Sequence, residues 1–279
     1  MRPFLAILLL ADVAGAGAVP QRTINPWATI PRPPYAASVS GEAQAERQLL
    51  DLTNQARAEA GLAPLQPDEG LAQAARKHSV LMASQKHLSH DLPGEPALPQ
   101  RLAATSTLEL SAEGENVGLA PSVQEAHLGF MHSPHHRENL LDPNYNVVGL
   151  AVVRGGNMIY VTEDFGQGSL RRSARQAEDL AAESVNDARR AARLPELQRM
   201  DDKAAESAAC TMAQADAVNA PALKSRYVVS YTSMKPEELP QGVLRPIRDG
   251  GVHAFAVGAC YARTRTYPTG ANWVVLLFY

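Results

Sequence analysis

Apolar residues recur at helical spacing in two neighbouring segments of the first half of the chain. The first segment begins near residue 46, keeps its apolar side chains on one side and ends at Gly61. The second covers residues 67–90 and opens with Asp68 and Glu69; its apolar stripe consists of Leu71, Ala74, Ala75, Val80 or Leu81, and Met82. Each pattern predicts an amphipathic helix.

A third helix and two strands are predicted further along the chain. Apolar spacing favours a helix over Val123–Met131 that ends at Ser133-Pro134. The runs at residues 146–155 and 157–166 have the apolar character of strands. The sequence Gly155-Gly156-Asn157 between them is typical of a tight hairpin turn, so the two strands are expected to pair.

The second half of the chain repeats this plan. Residues 180–198 match residues 49–66, with Asn186 matching Asn54 and Arg189 matching Arg57. Residues 256–279 resemble residues 147–166. We interpret the similarity as a tandem duplication, and two unrelated α+β halves of similar composition are the alternative. The second copy lacks the histidines described below, so any site is expected in the first half.

The N-terminus has the anatomy of a secretory signal peptide. Arg2 precedes an apolar run from Phe4 to Leu10, and small residues follow up to residue 18. Repeated prolines then mark residues 19–45 as an extended linker. Because spanning a bilayer takes about 20 apolar residues, we predict a signal peptide at 1–18. The mature protein is expected to be secreted, to the periplasm or the medium, without a transmembrane segment.

The net charge bears on which class of partner the protein binds. A formal net charge of −3 over 279 residues does not indicate the basic face that nucleic acid binding needs, so nucleic acid is not expected as a partner.

Cys210 and Cys260 are the two cysteines of the chain. A bond between them would close a loop of about 50 residues, and export permits it. Two separate buried thiols are the alternative.

Histidine is concentrated between residues 78 and 136, where seven of the eight histidines lie, three of them in MHSPHHREN. His132 and His136 have the spacing of a helical zinc pair, but Pro134 disrupts that helix and the general-base glutamate is missing. We instead expect Ser133 at an N-cap and Pro134 at the first position of a short helix. The helix N-terminus disfavours a charged His136, and His132 and His135 are expected to flank the site.

Four ordered motifs resemble the CAP superfamily, which includes cysteine-rich secretory proteins, venom antigens and plant pathogenesis-related proteins. The motifs are ARKHSVLMA…LSHD, GENVG, MHSPHHRENLLDPNYNVVGLAV and YVTEDFG, and the resemblance covers residues 46–168. It implies an α+β fold, an α-β-α sandwich around a small antiparallel sheet. Residues 179–279 look like a degenerate copy of that fold after a linker at residues 169–178.

The resemblance also implies a cavity of histidines and acidic residues. By motif, His90, Glu115 and His136 match three family positions, and Ser133 falls where eukaryotic members carry an acid. Glu163 of TEDF is expected to line the same cavity. Neutral His90 and His136 suit a divalent cation, zinc above all, with positions left for water, and the absence of a cofactor is the alternative. Glu115 would orient an imidazole or act as a base.

Three functions remain open at this point. The preferred one is a secreted binding or interaction module whose partner is an extracellular protein, a lipid or a cell-surface ligand. The second is a metal-assisted hydrolase, such as a peptidase, in which His90, Glu115 and His136 are catalytic. The third is a structural extracellular protein with a vestigial site. Because no serine lies in a strained nucleophile elbow and both cysteines lie outside the histidine-bearing half, the sequence favours binding over catalysis.

Overall fold

The first sheet forms from the predicted hairpin and two further strands. In the computed structural model, which describes residues 41–279, these strands are β1 (Gln66–Pro67), β2 (Glu109–Ala120), β3 (Val147–Gly155) and β4 (Met158–Ser169), in the order β1-β3-β4-β2. β3 and β4 pair antiparallel, which confirms the predicted hairpin. β2 adds antiparallel to β4, and the short β1 adds parallel to β3. β2 is therefore an edge strand.

Helices cover both faces of this sheet. α1 (Gly41–Glu59), α4 (Val123–His132) and α5 (Pro134–Leu140) lie on one face, and α2 (Glu69–Gln85) and α3 (Leu98–Thr105) lie on the other. Side chains alternate along β3, so Val148 packs with Leu49 of α1 whereas Val147 packs with Leu71 of α2. This α-β-α sandwich confirms the predicted α+β fold.

The observed boundaries differ from the predicted ones at both ends of this unit. α1 begins at Gly41, inside the predicted linker at residues 19–45. β4 runs to Ser169 and the next helix begins at Ala174, so the connection is shorter than the predicted residues 169–178. The predicted signal peptide and most of the first linker lie outside the described residues. Within residues 41–279, none of the helices has the length and apolar character needed to cross a membrane.

A second sheet follows the same plan. β5 (Gln198–Arg199), β6 (Tyr227–Ser233), β7 (Ala254–Ala262) and β8 (Ala271–Phe278) lie in the order β5-β7-β8-β6. α6 (Ala174–Ala191) and α8 (Leu244–Arg248), which follows a 3₁₀ turn at Gln241–Val243, cover one face, and α7 (Lys203–Ala215) covers the other. As in the first sheet, a short parallel strand and an antiparallel edge strand flank a central hairpin.

A buried arginine occupies the same place in each half. Arg57 on α1 and Arg189 on α6 each donate from Nε to a carbonyl six residues further on, and from Nη1 to two carbonyls at the end of a distant short helix. The acceptors are Ala63, Leu140 and Asp142 in the first half and Pro195, Ile247 and Asp249 in the second. Because a buried guanidinium needs acceptors for its N–H groups, each arginine joins the first helix of its half to the segment before the central hairpin.

The two cysteines of the chain are bonded to each other. Cys210 on α7 and Cys260 on β7 form a disulfide, with Cα atoms 5.0 Å apart and a sequence separation of 50. This confirms the bonded alternative and excludes two separate thiols. The bond fastens α7 to the sheet of the second half.

Candidate ligand-binding site

The buried face of α2 carries a histidine. The buried residues of this helix recur at helical spacing, namely Leu71, Ala74, Ala75, His78, Ser79 and Met82, whereas Val80 is 51% exposed and does not belong to the stripe. His78 Nδ1 lies 2.6 Å from Glu95 Oε2, and Nε2 lies 2.9 Å from the Ser89 carbonyl oxygen. Because a carbonyl only accepts hydrogen bonds, His78 Nε2 carries a proton and donates it.

Glu115 of β2 is held from two sides. His90 Nδ1 lies 2.8 Å from Glu115 Oε1, and Arg101 Nη2 on α3 donates to Glu115 Oε2 at 2.6 Å. Arg101 also lies 3.7 Å from Glu95, the partner of His78. These five side chains form one continuous set of contacts between α2, α3 and β2. We call His78, His90, Glu95, Arg101 and Glu115 the charge network.

The network sets the charges of Glu115 and His90. Burial opposes ionisation of Glu115, but the hydrogen bond from His90 and the positive charge of Arg101 lower its pKa below the ordinary value. The hydrogen bond to Glu115 raises the pKa of His90. The Glu115 side chain is buried, whereas that of His90 is 53% exposed. An ionised carboxylate therefore holds His90 through Nδ1, and Nε2 has no hydrogen-bond partner among residues 41–279.

A second carboxyl group lies beside Glu115. Asp164 of β4 is paired directly with Glu115 across the two strands and is fully buried. Within the described part of the chain, its carboxyl oxygens have no hydrogen-bond partner apart from the contact with Glu115. Burial, followed by the negative charge of Glu115, raises the pKa of Asp164 well above its ordinary value. Asp164 is therefore neutral next to an ionised Glu115.

Glu163 lies on the opposite face of the sheet from Glu115. It is paired with Asn116 across the strands, and neighbouring residues of a strand point to opposite faces. Its carboxyl accepts from Asn116 Nδ2 at 3.0 Å and from Thr53 Oγ1 at 3.2 Å. Its exposed fraction is 0%, and burial raises its pKa to about 7. Glu163 thus lies in the core between the sheet and α1.

α5 begins as the sequence predicts and carries His136. Ser133 occupies the N-cap position and Pro134 the first helical position, although the Ser133 side chain makes no capping hydrogen bond. The His136 ring lies edge-on to Phe130, with ring centroids 5.1 Å apart. Burial, followed by the positive charges of His90 and His135, lowers the pKa of His136. The lowered pKa favours the uncharged form of the His136 ring.

Two asparagines join α5 to the strand of Glu115. Asn139 Nδ2 donates to the Glu115 carbonyl at 3.1 Å and to Asn116 Oδ1 at 3.0 Å. Asn116 Nδ2 donates in turn to the His136 carbonyl at 3.0 Å. Through these bonds the segment that carries His136 is docked on β2, next to the residue that holds His90.

The window of seven histidines does not form a single site. His78 and His127 are buried on different helices, and His90 and His136 flank β2. His87, His132 and His135 are exposed, as His90 is. Sequence reasoning therefore finds His90, Glu115 and His136, but not His78, Glu95, Arg101 or Asp164. His78 could have been found from its place on the apolar stripe of α2, whereas no local pattern marks the other three.

Two side chains near β2, the imidazoles of His90 and His136, are of the kind that binds a divalent cation. Within residues 41–279, no group of three or more His, Cys, Asp or Glu side chains is arranged to hold a metal ion. The Glu115 carboxylate is engaged by His90 and Arg101, and Glu163 is inaccessible. His90 and His136 are the remaining donors, which fits an open site and not a closed structural one.

The corresponding face of the second half is apolar. The layer between α7 and the second sheet consists of alanine, methionine, valine, leucine and tryptophan side chains, with Met212, Trp273, Val275 and Leu277 among them. The charge network therefore has no counterpart between α7 and the second sheet.

Comparisons with known proteins agree with this fold. The profile of the CAP family, the cysteine-rich secretory protein family, matches residues 50–165. The uncharacterized protein YkwD of Bacillus subtilis (strain 168) is 31% identical over 114 residues, which are 40% of this chain and 44% of that protein. The chain thus spans less than half the length of this curated relative. Residues 50–165 therefore match a CAP domain, which accounts for less than half of the chain.

Two solved structures are also similar to this chain. An extracellular protein with an SCP domain from Bacillus anthracis strain Ames is 31% identical, with a TM-score of 0.42, over 45% of this chain and 41% of its own. The structure of Na-ASP-1 is 11% identical, with a TM-score of 0.50, and covers 87% of this chain and 91% of its own. The latter alignment reaches beyond residues 50–165, so the shared fold includes much of the second half.

Proposed function

We propose that residues 41–169 form a secreted ligand-binding module whose binding site lies at the edge strand β2, between His90 and His136. The observation that carries the proposal is the 2.8 Å contact between His90 Nδ1 and Glu115 Oε1. A carboxylate that accepts from one imidazole nitrogen fixes the ring and makes the other nitrogen a better donor to a ligand. His90 Nε2 is then the group that meets the ligand.

The ligand that this donor set favours includes a divalent cation, zinc above all. His90 and His136 would hold the ion, and the lowered pKa of His136 keeps its ring neutral and able to bind. A cation bound by two protein nitrogens would supply Lewis acidity and open positions for oxygen or nitrogen atoms of a partner. The partner class remains an extracellular protein, a lipid or a cell-surface component.

Binding is favoured over hydrolysis by a carboxylate base because neither Glu115 nor Glu163 is suited to that role. A general base must reach the reacting proton and have a pKa near the working pH. Glu115 has a lowered pKa and its two oxygens are engaged by His90 and Arg101. Glu163 has a pKa of about 7 but no exposed surface. These two carboxyl groups therefore serve to orient and to stabilise.

Two further features belong to the proposal. Secretion is supported by the signal-like N-terminus and by the family, which is described as that of cysteine-rich secretory proteins. A second, degenerate CAP-like unit at residues 174–279 is supported by the shared strand order, by the equivalence of Arg57 and Arg189, and by the extent of the alignment with Na-ASP-1.

Calorimetric titration with Zn²⁺ tests the proposed site. His90→Ala and His136→Ala should each weaken Zn²⁺ binding by about tenfold or more, a loss of ~1.4 kcal/mol or more. His135→Ala is the matched control, because His135 is adjacent to His136 and its side chain is 94% exposed. Equal affinity in all four proteins, or loss in the control alone, would refute the cation site.

A further inference from the structure

One loop of the second half forms hydrogen bonds with α3 and β2 of the first half. The loop comprises residues 263–270, between β7 and β8, and we call it the bridging loop. The Arg263 guanidinium donates from Nη1 to the Ala103 carbonyl and from Nη2 to the Ser106 carbonyl, the latter at 2.7 Å. At the other end of the loop, Thr269 Oγ1 donates to the Leu110 carbonyl at 3.1 Å.

The three acceptor carbonyls lie at the end of α3 and at the start of β2. Ala103 and Ser106 lie at the C-terminal end of α3, where the last carbonyls have no partner within the helix and a positive charge is favourable. Leu110 lies at the start of β2, where the pairing with β4 shifts register between Leu110 and Glu113. The bridging loop thus bonds to the end of the helix that carries Arg101 and to the beginning of the strand that carries Glu115.

The bridging loop is itself fixed within the second half. Thr266 donates from its backbone N–H and its hydroxyl to Asp216 Oδ2, both at 3.0 Å. Tyr261 OH donates to the Thr269 carbonyl at 3.1 Å. The disulfide from Cys260 fastens the strand that leads into the loop. A loop held at this many points can transmit a fixed geometry to α3.

We propose that Arg263, assisted by Thr269, is a positioning residue through which the second half sets Arg101 against Glu115. The orientation of His90 follows, because Glu115 is shared between Arg101 and His90. This gives the half that lacks the charge network a function in the site of the other half. The inference rests on the charge network of the proposed site and is independent of whether that site binds a cation.

Arg263→Ala, Arg263→Lys and Arg265→Ala, made in the full chain, test this inference. Arg265→Ala is the matched control, because it removes the same charge from the same loop at a position that makes no hydrogen bond to α3 or β2 within residues 41–279. Two readouts are needed: hydrogen exchange of the α3 and β2 amides, and the ¹³C chemical shift of the His90 ring at one fixed pH, which reports which nitrogen carries the proton.

Arg263→Ala should accelerate exchange of the α3 amides by about tenfold, since local opening becomes easier, and should move the His90 ring shift. Arg263→Lys should recover part of both effects, because one ammonium replaces a two-pronged guanidinium. Arg265→Ala should change neither. If Arg263→Ala leaves the His90 ring shift at its wild-type value, the positioning role is excluded even where α3 exchanges faster. If the His90 ring shift changes in Arg263→Ala and the wild type does not bind Zn²⁺, this inference is supported and only the proposed cation site is contradicted.

Discussion

Asn139 Nδ2 lies 3.0 Å from Oδ1 of Asn116, so the asparagines of the motifs GENVG and SPHHREN are bonded to each other. The same amide of Asn139 also donates to the Glu115 carbonyl. The two motifs are distant in the sequence, and this contact is what places His136 beside the strand of Glu115. The asparagines are therefore part of the site although neither would meet a ligand.

Replacing Asn139 should weaken the hydrogen-bonded contact between α5 and β2. Asn139→Ala removes two hydrogen bonds and leaves the Asn116 amide oxygen and the Glu115 carbonyl without this donor, which should lower the free energy of unfolding by roughly 1–3 kcal/mol. Urea unfolding measures the loss. Asn144→Ala is the control, because the side chain of Asn144 bonds only within its own exposed turn, and it should cost much less. Equal losses would contradict the role assigned to Asn139.

The equivalence of Arg57 and Arg189 predicts equivalent losses of stability. Arg57→Ala and Arg189→Ala should each lower the free energy of unfolding by about 3 kcal/mol or more, since each breaks a buried network with a charged donor. Arg154→Ala, at an exposed position of β3, should stay within about 0.5 kcal/mol of the wild type. A small effect of Arg189→Ala beside a large effect of Arg57→Ala would argue against equivalent frameworks.

Glu163 should make the protein less stable as the pH rises. Its pKa is about 7 in the folded protein against an ordinary value of 4.5, so its full contribution is present below pH 4.5. That contribution is lost as the pH rises towards 7, with a total on the order of 3 kcal/mol. Urea unfolding at pH 5 and pH 8 should show the decline in the wild type and a smaller decline in Glu163→Gln. The same decline in both proteins would contradict the raised pKa.

Much of this fold follows from local sequence patterns. The sequence predicts α1, α2, α4 and the β3–β4 hairpin because their apolar spacing matches a helix or a strand. It does not predict β2, because β2 is an edge strand whose central residues are polar on both faces, with Glu115 on one and Asn116 on the other. α3 is short and depends on contacts with the rest of the fold.

The candidate site divides in the same way. His90, Glu115 and His136 lie in recognisable motifs, so the sequence predicts them. Arg101 and Glu95 have no motif, and their pairing with Glu115 and His78 arises only when α3 packs against α2 and β2. Which of the adjacent residues Glu163 and Asp164 faces the charge network depends on the register of β4, and the sequence alone does not specify that register.

In the proposed site, Glu115 holds His90 through Nδ1 and leaves Nε2 for a ligand. An NMR pH titration of the His90 ring in the wild type and in Glu115→Gln measures this contact directly, with the exposed ring of His87 as an internal reference for assignment. We expect the pKa of His90 to lie above its ordinary value of 6.5 in the wild type and to fall in Glu115→Gln. An unchanged His90 titration in a folded Glu115→Gln protein would show that Glu115 does not hold the His90 ring.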